Sequence, residues 1–253
     1  MALLLSFIKR FAKIEKTMEV EQISALESIW NGFDFTYILS ILLGLIPALL
    51  CITLHELSHG FVAYKLGDNT AKERGRLTLN PIKHLDVMGL LMLVVFHVGW
   101  AKPVPVNMYN FKDPKKGMAV TALAGPVSNF LITLVFMFLF GFAYTIVGFH
   151  YTKAGYYVLQ LLQLTAYISL GLGLFNLIPI PPLDGSKVLL SLLSDSNYYK
   201  LLRYERYGMI LMILLVSTGI IGKPLSAAMD AIYNFLLPLA QWGADLSYNL
   251  FFK

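Results

Sequence analysis

Two histidines and a glutamate interrupt an otherwise apolar stretch of the sequence between Ile38 and Leu66. His55, Glu56 and His59 form an HExxH pattern, which on an α-helix places the two imidazoles one turn apart on the same face. This spacing suits one zinc ion, with the glutamate beside it as a general base. Ionisable side chains at membrane depth are costly and mark functional sites. The pattern therefore predicts a metal site within a membrane-spanning helix.

Charged residues are scarce in the rest of the chain as well. Of its 253 residues, 57% are hydrophobic and 14% are charged, and the mean hydropathy is +0.65. Soluble proteins average about 25% charged residues, whereas apolar runs of about 20 residues indicate transmembrane helices. We therefore predict an all-α polytopic membrane protein, and attribute the net charge of +5 to membrane topology rather than to nucleic-acid binding. The single cysteine, Cys51, excludes an intrachain disulfide and is expected to be a packed thiol.

The apolar runs predict the number of membrane spans. Three segments are predicted to cross the bilayer: Tyr37–Leu66, Gly117–Phe142 and Tyr156–Ile178. Tyr207–Ile221 is predicted as a fourth span, and Ala227–Leu246 as a fifth despite its Asp230, Pro238 and Asp245. We expect about five to six transmembrane helices in a single membrane-embedded domain, residues 35–253.

Residues 1–34 are predicted to be an N-terminal amphipathic segment. Apolar residues recur there at helical spacing, opposite Lys9, Arg10, Lys13 and Lys16. Such a helix suits an anionic membrane surface, and a short helix packed on the protein itself is the alternative.

Basic residues cluster in the loop after the first span and again in Lys112–Lys116. The positive-inside rule places both stretches in the cytoplasm, and His55 and His59 then lie in the cytoplasmic half of their helix. The loop at His150–Gly155 carries only Lys153 and is predicted to lie outside.

Val87–Gly99 is apolar but short for a full crossing. It is followed by Trp100–Asn107, where Pro103 and Pro105 favour extended backbone. We predict a re-entrant or β-like segment near the active site, with a short or tilted span as the alternative. The extended edge would suit an unwound substrate that pairs with it as an added strand.

A catalytic zinc site needs a third protein ligand. Asp184 is favoured because it follows a helix end interrupted by prolines, on the predicted cytoplasmic side. The alternative role for Asp184 is a turn or helix-capping residue before Gly185. The other candidates for the ligand are Asp86, His84 and His97, while His150 falls on the opposite side. Asn129 is open to two interpretations, an interhelical hydrogen bond or a substrate contact.

Five motifs together resemble the site-2 protease family of intramembrane zinc metalloproteases. In chain order they are HELSHG, RLTLNPIKHLD, GWAKPVPVN, ALAGPVSN and FNLIPIPPLDG, and the resemblance covers roughly residues 45–195. It is closest to the compact bacterial branch without PDZ or CBS domains. Val87 and Met108 depart from it, because proline is expected at both positions.

The resemblance implies a site and a reaction. It implies one Zn²⁺ per chain held by His55, His59 and Asp184, with Glu56 as the catalytic base. It further implies that Asn129 and Asn176 contact the substrate or stabilise the oxyanion.

The expected function is hydrolysis of peptide bonds in the transmembrane segments of membrane protein substrates, as in regulated intramembrane proteolysis. The expected location is the bacterial cell membrane, with several spans and the active site toward the cytoplasm. No stretch between the motifs is long enough for a PDZ domain, so a separate regulatory membrane partner is one expected means of control. The alternatives are a membrane zinc transporter and a catalytically silent binding protein, although an intact Glu56 argues against the second.

Overall fold

A computed structural model describes residues 35–89, 100–150, 152–202 and 205–252 of the chain. The predicted amphipathic segment 1–34, most of the predicted re-entrant segment and His97 lie outside these ranges. Within them the structure contains helices, turns and non-helical connections, and no β-strand. The all-α prediction therefore holds for the described part of the chain.

The described helices are numbered here in chain order. They are α1 Phe35–Lys65, α2 Thr70–Glu73, α3 Pro114–Phe149, α4 Lys153–Asn176, α5 Asp184–Ser191, α6 Asp195–Leu202, α7 Glu205–Ser217 and α8 Gly222–Phe251. Two short 3-10 helices, Pro81–His84 and Met108–Asn110, lie between α2 and α3.

Three of these helices contain segments long and apolar enough to cross a membrane: Leu43–Lys65, Pro114–Phe149 and Lys153–Asn176. They coincide with the first three spans predicted from hydropathy. Within the described residues α7 has 13 residues, fewer than the about 20 of a crossing, and α8 does not meet the same criterion although it has 30 residues. The total of five to six spans stays a prediction.

Helix α3 lies at the centre of the fold and packs against α1, α4, α5 and α8. Small residues bring α3 and α8 together: a Cβ at Gly141 would overlap the backbone of Ala240, and one at Gly243 would overlap the carbonyl of Phe138. Membrane helices commonly use such residues to approach one another closely. Around this contact Met137, Phe140, Leu159, Ala166 and Ala240 form a buried apolar cluster.

The connection between α1 and α3 contains a non-helical stretch, residues 100–107, which we call the proline segment. Pro103 and Pro105 lie within it and are incompatible with a regular helix. The backbone N–H of Lys102 donates to the carbonyl of His84 at 2.9 Å, and Asn107 has extended backbone angles. The segment is therefore non-helical and forms no β-strand among the described residues, and the re-entrant or β-like character expected for this region stays a prediction.

Candidate metal centre

Three side chains from two helices meet inside the fold. The Nε2 atoms of His55 and His59 lie 3.0 Å apart, and each is 3.1 Å from Oδ2 of Asp184. All three residues are buried. His55 and His59 meet because residues four apart on α1 share a face, whereas Asp184 comes from a position 129 residues later in the chain than His55. The structure thus brings together the three side chains predicted as metal ligands.

The neighbours of His59 fix the direction of its lone pair. Its Nδ1–H donates to the backbone carbonyl of Thr121 on α3 at 2.7 Å. In the neutral ring this leaves Nε2 as an acceptor directed toward His55 and Asp184. Zinc-binding histidines commonly make this kind of bond through the nitrogen that does not touch the metal.

The cluster fits a zinc ion by the chemistry of its atoms. Two imidazole nitrogens and a carboxylate oxygen converge, and such acceptors repel one another unless a cation or shared protons lie among them. Two histidines and one carboxylate form a known ligand set of catalytic zinc, which keeps a further position open. We conclude that His55, His59 and Asp184 can together hold one zinc ion.

Asp184 reaches the histidines because α5 begins at this residue, directly after the proline-containing turn. Gly185 permits that placement, since a Cβ there would overlap the backbone of Leu177 at the end of α4. The ammonium of Lys187, with Nζ 3.9 Å from Oδ1, favours the ionised form of the Asp184 carboxyl. The positive end of the α5 dipole also favours a negative charge at this position.

Glu56 lies beside the cluster, between the two histidines in sequence. Its Oε2 accepts a hydrogen bond from the backbone N–H of Val104, in the proline segment, at 2.9 Å. This bond orients the carboxylate while leaving Oε1 available for another partner. Glu56 is half-buried and lines the same cavity as the three candidate ligands.

That cavity has a volume of about 600 Å³, within the usual range of roughly 300–1,000 Å³ for ligand sites. Its walls come from α1, the start of α3, the end of α4, the proline segment and α5. Apolar side chains predominate, and Lys187 contributes a cation, with Nζ 3.9 Å from Oδ1 of Asp184. The cavity can therefore receive a largely apolar chain beside the candidate metal centre.

The two asparagines predicted to contact substrate differ in position. Asn176 lines the cavity, and its Nδ2 donates to the carbonyl of Leu172 at 3.0 Å. Asn129 is fully buried in α3, and its amide has no hydrogen-bond partner within the described ranges. Asn129 is absent from the cavity wall. A substrate contact through either residue remains a prediction.

The competing candidates for the third ligand have other partners where they are described. The buried His84 donates from Nε2 to the carbonyl of Thr78 at 2.9 Å. Asp86 accepts from the backbone N–H of Gly89 at 2.8 Å, and His150 directly follows the far end of α3. Cys51 is fully buried, and its thiol lies 3.7 Å from the carbonyl of Thr165.

Gly125 is a residue of the site that the sequence analysis does not identify. It lies in α3, where a Cβ would meet Nε2 of His59 and would lie 2.5 Å from Cε1 of His55. The absence of a side chain at Gly125 thus leaves room for the two imidazoles. In the sequence Gly125 is one glycine within an apolar helix, and this pattern does not indicate which side chains pack against it.

Comparison with known proteins identifies related chains. The family model for peptidase family M50 matches residues 43–218. "Putative zinc metalloprotease YwhC" of Bacillus subtilis is 38% identical over 202 residues, which are 78% of this chain and 91% of that protein. "Putative zinc metalloprotease Rip2" of Mycolicibacterium smegmatis is 28% identical, covering 79% of this chain and 71% of its own length. "Zinc metalloprotease MJ0392" of Methanocaldococcus jannaschii is 31% identical, covering 68% and 39% respectively. No solved structure matches the chain.

Proposed function

Because the chain belongs to peptidase family M50 and is a zinc metalloprotease, we propose that it cleaves peptide bonds in membrane-spanning segments of other membrane proteins. The observation that carries this proposal is the convergence of His55, His59 and Asp184 beside Glu56, on a cavity formed by apolar helices. A soluble protease would have no need to place these groups on a helix apolar enough to cross a bilayer.

Each site residue has a role in the proposed reaction. His55, His59 and Asp184 hold one zinc ion, which supplies Lewis acidity toward the attacking water and the scissile carbonyl. Glu56 accepts a proton from that water and later returns it to the nitrogen of the leaving amine. Its bond to Val104 holds the carboxylate in place through both transfers.

The proline segment is proposed to receive the substrate. It lines the cavity through Trp100, Ala101, Pro103, Val104 and Val106, so a chain in the cavity would lie along it. Peptides in extended form commonly bind by adding a strand to an exposed edge. Since proline has no N–H, neither Pro103 nor Pro105 can donate to an added strand, so the pairing is proposed to use other residues of the segment. Asn176, and with less structural support Asn129, are proposed as further substrate or oxyanion contacts.

The proposed setting is the cell membrane of a bacterium, with the metal centre toward the cytoplasm. We propose about five to six spans in one domain over residues 35–253, including a re-entrant segment over 87–99. The basic loop after α1 supports the cytoplasmic orientation through the positive-inside rule. A separate membrane protein is proposed to control substrate access, and regulated proteolysis is the process it would serve.

Zinc transport is the alternative and has less support. A transport path needs polar or ionisable groups across the bilayer. The sequence from Gly117 to Asn176, which includes most of α3 and all of α4, has one charged residue, Lys153 at the first position of α4. The cluster with its adjacent glutamate is better suited to hydrolysis.

The proposal is tested with purified protein and a model transmembrane substrate in reconstituted vesicles. Glu56→Gln should retain zinc but lose activity by about 10²–10⁴-fold, the usual contribution of a general base. Glu73→Gln is the matched control, since Glu73 is exposed on α2. Undiminished cleavage by Glu56→Gln would refute the mechanism, and a wild-type enzyme that cleaves soluble peptides but no membrane-spanning segment would refute the substrate class.

A further inference from the structure

We propose that Asp68 and Arg76 are positioning residues that hold the proline segment against α1, so that Val104 keeps Glu56 oriented and the segment's edge faces the substrate. The proposal rests on the proposed function, because it assigns these roles within the same cavity. Neither residue lines that cavity. Both lie in the connection between α1 and α3, Asp68 before α2 and Arg76 after it.

Asp68 fixes the distal end of the proline segment. Its carboxylate is fully buried, and Oδ2 accepts from the backbone N–H of Asn107 at 2.7 Å. Its Oδ1 accepts from Nδ2 of Asn110 at 2.7 Å and from the backbone N–H of Thr70 at 3.1 Å. Both oxygens are therefore engaged, and the carboxylate joins the loop after α1 to the end of the segment.

Arg76 fixes the proximal end of the same segment. One amino group of its guanidinium, Nη2, donates to the carbonyl of Lys102 at 2.7 Å and to that of Pro103 at 3.3 Å. Arg76 is 8% exposed and forms no ion pair among the residues that the structure describes. Burying a guanidinium without an ion pair is costly, and its Nε has no hydrogen-bond partner among the described residues, so the two bonds from Nη2 are the contacts that favour Arg76 at this place.

Glu56 contacts the proline segment at a residue that lies between the two anchored ends. Val104 lies between the residues bound by Arg76 and Asp68, and donates its N–H to Glu56. The Val104 side chain is also buried, packed close to Gly60 on α1, where an added Cβ would lie 3.0 Å from it. The glutamate is thus bonded to a backbone amide whose position depends on two anchors outside the cavity.

The arrangement has two consequences for catalysis. Releasing either anchor lets Val104 withdraw from Glu56, which lowers kcat because the base is no longer oriented toward the attacking water. Release also displaces the edge offered to the substrate, which raises KM. Partial unfolding would instead lower the active fraction and hence the apparent kcat, while leaving KM unchanged.

The first experiment compares Arg76→Gln with Arg74→Gln in the full-length enzyme. Arg74 is exposed two residues away and provides the matched control. Loss of a hydrogen bond to a charged group shifts an equilibrium by roughly ten- to hundredfold, so we expect kcat/KM to fall by about tenfold or more in Arg76→Gln, with a higher KM. Arg74→Gln should stay within about twofold of wild type, and Arg76→Lys should recover part of the loss. Zinc content should be equal in all four proteins.

A second variant tests the other anchor independently. Asp68→Asn keeps the size of the side chain, but its amide NH₂ would face a donor at either oxygen position. We therefore expect the same combined change in kcat and KM. If Arg76→Gln does not fold, Asp68→Asn carries the test.

A spectroscopic measurement separates this proposal from the proposed function. In a Cys51→Ser background, a spin label on the exposed Lys102→Cys reports the mobility of the proline segment without any substrate. We expect a more mobile spectrum in Arg76→Gln and Asp68→Asn than in Arg74→Gln, and no change for a label on the exposed Lys112→Cys. Equal mobility at position 102 in all variants, an unchanged KM, or loss of zinc from the anchor variants would overturn the proposal. If the wild type cleaves no membrane substrate, the proposed function fails while the label still decides whether the anchors hold the segment.

Discussion

Replacing Gly125 by alanine should disable the metal centre through a single methyl group. A Cβ at this position would lie 2.5 Å from Cε1 of both His55 and His59. Non-bonded carbon atoms rest about 3.5–4.0 Å apart, so each imidazole would have to move by roughly 1 Å or α3 would have to withdraw. Either movement changes the position of the two nitrogens relative to Asp184.

The size of the effect follows from how little displacement a metal site tolerates. Ligand distances in zinc sites are kept within about 0.2 Å, and altered support of the ligands alone weakens binding by about 10–100-fold. We therefore expect Gly125→Ala to raise the zinc dissociation constant by about 100-fold or more. Gly148→Ala is the matched control, because Gly148 lies on the same helix and a Cβ there meets nothing within 4 Å. Both substitutions gain helix propensity, about 0.5–1 kcal/mol, so only the contact differs.

The assay is zinc titration of the purified proteins against a chelating dye, with circular dichroism to verify that both variants are helical. Peptide cleavage should fall in parallel with zinc occupancy in Gly125→Ala and stay at the wild-type level in Gly148→Ala. If Gly125→Ala binds zinc as tightly as wild type, then the imidazoles do not lie against α3, and the placement of α1 on α3 is wrong.

Three further predictions concern the metal centre and the loop after α1. Asp184→Ala should weaken zinc binding at least about tenfold in the same titration. Asp195→Ala should not weaken it, because the Asp195 side chain is 81% exposed. Equal losses of zinc binding in the two variants would exclude a specific role for Asp184. Removing zinc with a chelator should abolish cleavage and lower the melting temperature, and added zinc should restore both. Cleavage that survives complete removal of zinc would contradict the assignment of metal-dependent hydrolysis. Burial raises the pKa of Asp68, but hydrogen bonds from its neighbours lower it by more. The ionised carboxylate therefore stabilises the folded protein fully above the unfolded pKa of about 3.9, and this stabilisation is lost as the pH falls through the lower pKa of the folded state. The melting temperatures of wild type and Asp68→Asn should therefore differ at pH 7 and converge in acid, and a difference independent of pH would argue against the buried carboxylate as its source.

The sequence predicts the helices and one half of the site because both depend on local periodicity. His55, Glu56 and His59 are neighbours on any α-helix, so their geometry follows from spacing alone. Hydropathy predicts that helix α3 begins at Gly117, but it begins at Pro114 with Asp113 as its cap. A hydropathy profile does not mark Asp113 and Pro114 as part of a span, although an aspartate before a proline is a typical helix start.

The other half of the site depends on contacts between distant segments, which periodicity does not encode. The position of Asp184 after the prolines favours it as a ligand, and the hydrogen bonds of Asp86 and His84 in the structure distinguish it from these two candidates. The sequence does not predict that Gly125 and Thr121 are neighbours of the imidazoles, because neither a glycine nor a backbone carbonyl indicates which residue it will contact. Tertiary packing supplies that information.

The separation of His55 and Asp184 along the chain has a consequence for biosynthesis. The first histidine leaves the ribosome 129 residues before the carboxylate, and α3 and α4 are made between them. Until Asp184 emerges and α5 docks, the growing polypeptide has only part of its ligand set. The order of synthesis therefore places completion of the candidate metal centre after α5 has been made.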